Sequence, residues 1–526
     1  MSKQEQLELL SKYEILVLNQ QSLINKSENL ESQNTYLKGE IEKLTELYLE
    51  LKRERFGKKS EKWESKEQAV MVFNEAEIYA LKPDFLEDEE TPDYKADIKV
   101  SAHTKKRGHR KPLPLSLPRE VIKVELPVNE QFAKDGTPLK IIGYEVTEKL
   151  DYEPPKMRVI EYHRAKYGVD SGDYEKTAEL KSVIPKSMAS EGLLAAIITS
   201  KFADGLPLYR QEEIFYRADV ELSRTTMARW VIKTSEALRP ILNILSDRLL
   251  ARDYVSCDET RFQVLKEKDR KAVDKSWMWV RSTPSGRNKI VIFDYDPSRS
   301  GFVAEGLFLD YKGYLQVDGY AGYNKLENNV DIIRIGCSMH ARRYFEKALT
   351  IGSKSGRGFA EVGLKYFKDL FDLEEEIREL SFDERYQMRN EKAKPIWDSF
   401  KTWVEKNKNK IPPESKLGKA FHYFSSEYVY LIGYLKDGRL EMDSGFVERV
   451  IRKFAIGRNN WMFADTEAGA EASALLYSLV ITMKINAVNP YKALKYVLEK
   501  ISYATTIEDF EELADVIIAA KPIPEK

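Results

Sequence analysis

The sequence predicts a multidomain α/β protein, and three observations carry that expectation. A strict seven-residue leucine repeat opens the chain. Two later stretches alternate apolar and polar residues between turn residues, as strands do. Helical periodicity fills the segments between and after them. The 526 residues suggest about three or four domains at roughly 150 residues each. Hydrophobic residues make up 42% and charged residues 32%, a balance that supports large packed cores and excludes global disorder. The 84 Lys and Arg nearly cancel the 85 Asp and Glu, which excludes a uniformly basic nucleic-acid coat but not local basic patches. Only Cys257 and Cys337 are cysteines, so a disulfide scaffold and any four-cysteine zinc site are excluded. No apolar run approaches the ~20 residues of a membrane span, and the polar N-terminus lacks a signal-peptide core. A soluble, reducing, intracellular location is the default expectation.

Residues 1–60 are expected to form a coiled-coil helix. Leu9, Leu16, Leu23, Leu30, Leu37, Leu44 and Leu51 share one seam, and polar Gln20, Ser27 and Asn34 on the partner positions favour a defined register at a cost in stability. The alternative is an amphipathic helix packed on its own chain. Residues 61–118 read as a charged linker. Acidic residues crowd 74–97, and Lys105, Lys106, Arg107, Arg110 and Lys111 follow before a proline-rich strip. This basic stretch is either an arm laid along phosphates or a solvated linker. Residues 119–185 read as a small β module.

Over 186–248 the period turns helical. A helix ending at Gly205, a second helix and a third starting near Ser223 fit a helix-turn-helix. Ser223, Arg224, Thr225, Thr226 and Arg229 would then face DNA; an ordinary helical hairpin is the alternative.

Strands return after residue 249, and two of them carry an acid at the end of an apolar approach: Asp258 in YVSCDET and Asp318 in YLQVDGY. Carboxylates held on neighbouring strands are able to share divalent cations. Glu448, in VERVIRKFAIGR, is the candidate third carboxylate, with Arg449, Arg452 and Arg458 behind it to neutralise phosphates. Two Mg ions (or Mn) in such a cage would serve in-line phosphoryl displacement. Residues 350–440 read as charged amphipathic helices, and 501–526 as a C-terminal tail. Trp277, Trp279 and Trp461 are expected in the core rather than stacked on flipped bases.

The order of RERFGKKSEK, the helix-turn-helix, CDET, VDGYAGYN, CSMHARRYF and VERVIRKFAIGRNNWMF resembles the insertion-sequence-66 type transposases over nearly the full length. The resemblance implies a ribonuclease H-like catalytic core over 249–349 and 441–500, interrupted by a helical insertion at 350–440. It makes Asp258, Asp318 and Glu448 an Asp-Asp-Glu triad, with Cys337 and His340 as supporting residues. It implies Mg-dependent cleavage and strand transfer at DNA ends and a homodimer or higher oligomer. It also implies possible accessory proteins of the same element, and a bacterial, nucleoid-associated cytoplasmic location. Two positions depart from the family pattern. The β module has no cysteine where a four-cysteine zinc module is usual, since Gln131, Asp135, Val169 and Gly172 stand there, so zinc is not expected. Asp443, Ser444 and Gly445 replace the usual Asp-Asn-Asn. These departures motivate a competing reading, a decayed or repurposed DNA-binding protein. A metal-dependent nuclease of the same core is a third.

Overall fold

A computed structural model describes residues 20–21, 25–34, 36–39, 41, 157–168, 175–349 and 358–524. The chain divides into two units, Met1–Gly57 with His163–Lys526, and Lys58–Tyr162. Of the second unit only residues 157–162 are described, and they have no regular structure. The expected basic arm (Lys105, Lys106, Arg107, Arg110 and Lys111), most of the leucine seam and the β module up to residue 156 lie outside the described residues.

The described N-terminal residues 25–34 and 36–39 are helical, and seam residues Leu30 and Leu37 are 52% and 56% exposed. Within the expected β module, the described residues form β1 (Lys166–Gly168), which pairs antiparallel with β2 (Glu175–Thr177). Val159 before it is 89% exposed, and Ile160 and Tyr162 are also exposed.

Three helices follow. α1 (Glu191–Phe202) starts at Ser190, whose hydroxyl caps Leu193, and its chain turns away at Gly205, where φ is +72°. α2 (Leu208–Tyr216) is short. α3 (Arg224–Leu250) begins at Ser223, whose side chain accepts the Thr226 N–H. Beyond its first turns α3 buries Met227, Trp230, Leu238, Ile241, Leu245 and Leu249, so one helix joins the three-helix region to the main core.

That core wraps a five-stranded mixed sheet. β3 (Tyr254–Phe262) is central, and a short β4 (Val264–Lys266) continues it. β5 (Ser276–Ser282) and β6 (Val291–Asp296) add antiparallel on one side. After α4 (Gly301–Leu307), β7 (Gly313–Gln316) and β8 (Ile332–Ile335) add parallel on the other. The strand order is β6-β5-β3-β7-β8. α5 (Ser338–Ala348) follows directly after β8.

Residues 359–431 are helical: α6 (Phe359–Glu376), α7 (Phe382–Met388) running through a π turn at Arg389–Ala393 into α8 (Lys394–Asn407), then α9 (Lys416–Leu431). They build a second apolar cluster around Phe367, Trp397, Phe400 and Phe424, joined by Phe345 of α5.

α10 (Gly445–Trp461) returns the chain to the sheet. β9 (Ala464–Thr466) then pairs parallel with β4. α11 (Glu467–Ile485) is buried along 470–483 and passes the length and apolarity test for a membrane span, but 72% of that window is buried inside the fold, as in a core helix. Its polar groups also satisfy the sheet edge. Ser478 Oγ accepts the Phe293 N–H at 2.8 Å and Thr482 Oγ1 the Val291 N–H at 3.0 Å, so β6 presents fewer open donors. α12 (Pro490–Ile501) and α13 (Ile507–Ile517) close the fold. The expected C-terminal tail at 501–526 is therefore corrected. α13 buries Leu513, Ala514, Val516 and Ile517 in the main core, and Asp515 pairs with Arg248 of α3 at 2.8 Å.

Candidate metal and phosphate site

The central strand supplies the first acid. Asp258 lies within β3 rather than at its end, opposite Val280 on β5. Its Oδ1 accepts the Glu259 N–H at 2.8 Å. Burial first, then the Glu259 and Asp318 carboxylates, push its pKa up to about 7, while His340 and the Glu259 amide oppose the shift.

Asp318 sits in the loop just beyond β7, the parallel neighbour of β3. Side chains from elsewhere fix this loop. Tyr423 Oη accepts the Gly319 N–H at 3.0 Å, Arg334 donates to the Asp318 carbonyl at 3.1 Å, and Asp318 Oδ1 accepts the Tyr320 N–H at 2.9 Å. Tyr423 approaches so closely that a Cβ on Gly319 would stand 2.5 Å from its ring. Glycine is required there by contact, not by backbone angle.

Glu448 enters from the first turn of α10 and is almost fully buried. Its Oε2 accepts a charge-assisted bond from Arg343 of α5, with Arg452 at 3.7 Å. Its Oε1 is buried without a hydrogen-bond partner among the described residues and lies 3.8 Å from His340 Nδ1, which is likewise buried and without one. Burial opposes the Arg343 charge, but Glu448, then Cys337 and Asp258, outweigh it and raise the Arg343 pKa. Asp258 thus feels both Asp318 and His340, and His340 in turn stands 3.8 Å from Glu448.

Cys337 precedes α5 and is fully buried; burial, followed by Asp443, pushes its thiol up to about 12. Its Sγ accepts from Ser444 through the hydroxyl at 3.0 Å and the N–H at 3.3 Å. Asp443 Oδ1 accepts the Gly445 N–H at 2.7 Å, and a Cβ on Gly445 would meet that oxygen at the same 2.7 Å. The residues that depart from the Asp-Asn-Asn pattern therefore make a tight turn of their own, anchored on Cys337.

Of the expected arginines, Arg449 is exposed and Arg452 leans toward Glu448. Arg458 lies further along α10, half-buried, and donates to Thr260 Oγ1 at 3.2 Å and to the Arg261 carbonyl, so it braces the end of β3. On α3, Arg224, Thr225 and Arg229 are exposed and Thr226 is half-buried, while the Arg224 N–H binds Glu212 Oε1 at 2.9 Å and fixes the corner between α2 and α3. Trp279 is fully buried; Trp277 and Trp461 are half-buried.

Two residues escaped the sequence reading. Arg343 follows His340 by three positions, a spacing that puts both on one helix face, and that was the available signal. Glu259 had none, because an acid beside an acid does not announce which face it takes. Fully buried, it accepts from Tyr323 and from Arg299, each at 2.6 Å, and Arg299 lies 3.9 Å over the Tyr320 ring.

The fold is that of an α/β protein with a mixed central sheet, and buried acids lie on and beside its central strand. The chain belongs to the transposase IS66 family, whose model matches residues 186–472. A second model, described as transposase C of IS166 homeodomain, matches residues 43–122. Relatives in Sinorhizobium fredii include the uncharacterized protein y4qI, 33% identical over 408 residues, covering 75% of this chain and 74% of the relative. The uncharacterized protein y4jD is 32% identical over 416 residues, covering 76% and 80%. Membership in a transposase family implies a protein that binds and processes DNA, and suggests a divalent metal.

Proposed function

We propose that the chain is a DNA transposase that cleaves the ends of an insertion sequence and joins them to target DNA through Asp258, Asp318 and Glu448. The observation that carries this reading is the coupling of Asp258 on the central strand to Asp318 beyond its parallel neighbour, which with burial drives Asp258 up to about 7, while Glu448 enters from a returning helix beside His340, a residue that also acts on Asp258. The strand order, three antiparallel then two parallel, supports a ribonuclease H-like core, and the helices over 359–431 fit the place of an insertion. The donor set fits a hard divalent cation: the ligands are carboxylate oxygens, and Glu448 Oε1 is buried with no partner.

Magnesium or manganese bound there would acidify an attacking water and offset charge on the phosphoryl oxygens. The chain's own residues do the rest. Arg343 holds one oxygen of Glu448 and leaves the other bare. Tyr423 and Arg334 lock the loop that presents Asp318. Arg449 and Arg452 bind phosphate beside Glu448. The water oxygen joins phosphorus as the 3′-oxygen leaves as a hydroxyl; that hydroxyl's oxygen then joins the phosphorus of a target phosphodiester as the target strand's own 3′-oxygen leaves, taking up the proton released. No covalent protein–DNA bond is required. The first turn of α3, from Ser223 to Arg229, reads the element ends, and the exposed Leu30 and Leu37 seam pairs two protomers.

The test is cleavage of the element's own ends by purified protein with Mg, beside Asp258→Asn and Asp318→Asn. Wild-type cutting that both variants lose, while they still bind the ends, is the expected result. End binding without cutting, with accessory proteins of the element present, would replace this reading with that of a DNA-binding relative.

A further inference from the structure

Cys337 and His340 stand three positions apart at the start of α5, so their side chains share one face of its first turn. Glu448 meets them from α10. One ligand atom from each of the three lies within 4.8 Å of the others. Thiol sulfur, imidazole nitrogen and a single carboxylate oxygen are not the donors magnesium selects; they suit a borderline cation of the zinc class. Two of these atoms lack a hydrogen-bond partner among the described residues. His340 Nδ1 and Glu448 Oε1 are both buried and unbonded, 3.8 Å apart. Two ligands at ~2.0–2.1 Å from one tetrahedral ion stand about 3.4 Å apart, so a small adjustment admits the ion between them. The surroundings favour it too. Ser444 directs two donors at Cys337 Sγ, and Arg343 occupies Glu448 Oε2, which leaves Oε1 as the one oxygen on offer.

We propose that Cys337, His340 and Glu448 form a binding site for a zinc-class divalent cation, and that its occupancy withdraws Glu448 from Asp258 and Asp318. The ion takes Sγ, Nδ1 and Oε1 and keeps an open fourth position for water. As the metal–sulfur bond forms, the S–H bond breaks and its proton leaves to solvent. Such a site inhibits the magnesium reaction; this second part rests on the reading of Glu448 as the third acid.

Cobalt(II) titrated into the metal-free, full-length protein reads the site without any catalysis. The expected result is one equivalent bound with a thiolate-to-cobalt charge-transfer band, absent in Cys337→Ser and retained in Cys257→Ser. Glu448→Gln, which keeps the thiol, should weaken cobalt binding about 10-fold or more. A titration without the sulfur band, or a band that survives Cys337→Ser, overturns the site. Zinc added to the magnesium reaction should suppress end cleavage by the wild type and spare Cys337→Ser relative to its own zinc-free rate. Equal inhibition of both overturns the inhibitory role. Failure to cleave under any condition strikes the transposase reading alone, and the cobalt titration still decides the site.

Discussion

Two buried charges in this protein are treated in opposite ways. In the helical region, Arg389 has no solvent exposure, yet every part of its guanidinium is engaged. Glu374 takes Nε at 2.9 Å and Nη2 at 2.6 Å, and the Asp437 carbonyl accepts from Nη1 at 3.1 Å. Around it the aromatic rings close-pack, with Phe400 4.2 Å from Phe424 and 4.6 Å from Tyr366, centroid to centroid. Beside the sheet, Glu448 is nearly as buried, but one of its oxygens has no partner, and Asp258 faces two further carboxylates. The first charge is fully paired and belongs to the scaffold. The second region stores unbalanced charge, and sites that act on ligands are where such local inconsistency is retained.

The largest effect should come from breaking the satisfied pair. Glu374→Ala leaves the Arg389 charge buried and unpaired, at a cost of about 3–5 kcal/mol by chemical denaturation. A cost below about 1 kcal/mol would mean that the helical region is not the scaffold described. Arg343→Ala should act chiefly on function, with end cleavage down about 10–100-fold and a smaller loss of stability than Glu374→Ala, since Arg452 remains 3.7 Å from Glu448. Single-turnover rates beside thermal melts check this, and a large loss of stability with unchanged cleavage would move Arg343 from positioning to scaffold. Tyr423→Phe is the mildest change. It removes the hydroxyl that accepts the Gly319 N–H and should cost about 1 kcal/mol of stability, with amide exchange at Gly319 and Tyr320 rising more than elsewhere.

Much of the architecture was legible because its signals are local. The strand carrying YVSCDET forms as β3, and Ser223 caps α3 where the third helix was expected to start. Asp258, Asp318 and Glu448 stood out from the apolar approaches and the Glu-Arg step that carry them. What escaped depends on distant partners. β4 and β9 pair residues 264 and 464, and neither three-residue strand has a pattern to read. The segment after residue 501 looked like a tail, since α13 is recognisable only once Arg248 and the main core are placed against it. The bonds of Arg458 to Thr260 and Arg261 likewise join residues far apart in the chain, and charge in the sequence gives no direction that would reveal them.

The central claim is that the acids around Asp258 are held at a cost that a divalent cation relieves. The most direct test is the melting temperature of wild type and Asp258→Asn across pH, with and without magnesium. A carboxyl whose folded pKa is raised to about 7 imposes no penalty below its unfolded value, and the penalty grows as pH rises toward 7. Without metal, Asp258→Asn should therefore melt higher than wild type at pH 8, and the gap should close by about pH 4. Magnesium should raise the wild-type melting temperature at pH 8 and leave the variant nearly unmoved. Coincident curves for the two proteins at every pH, with no response to magnesium in either, would contradict the account.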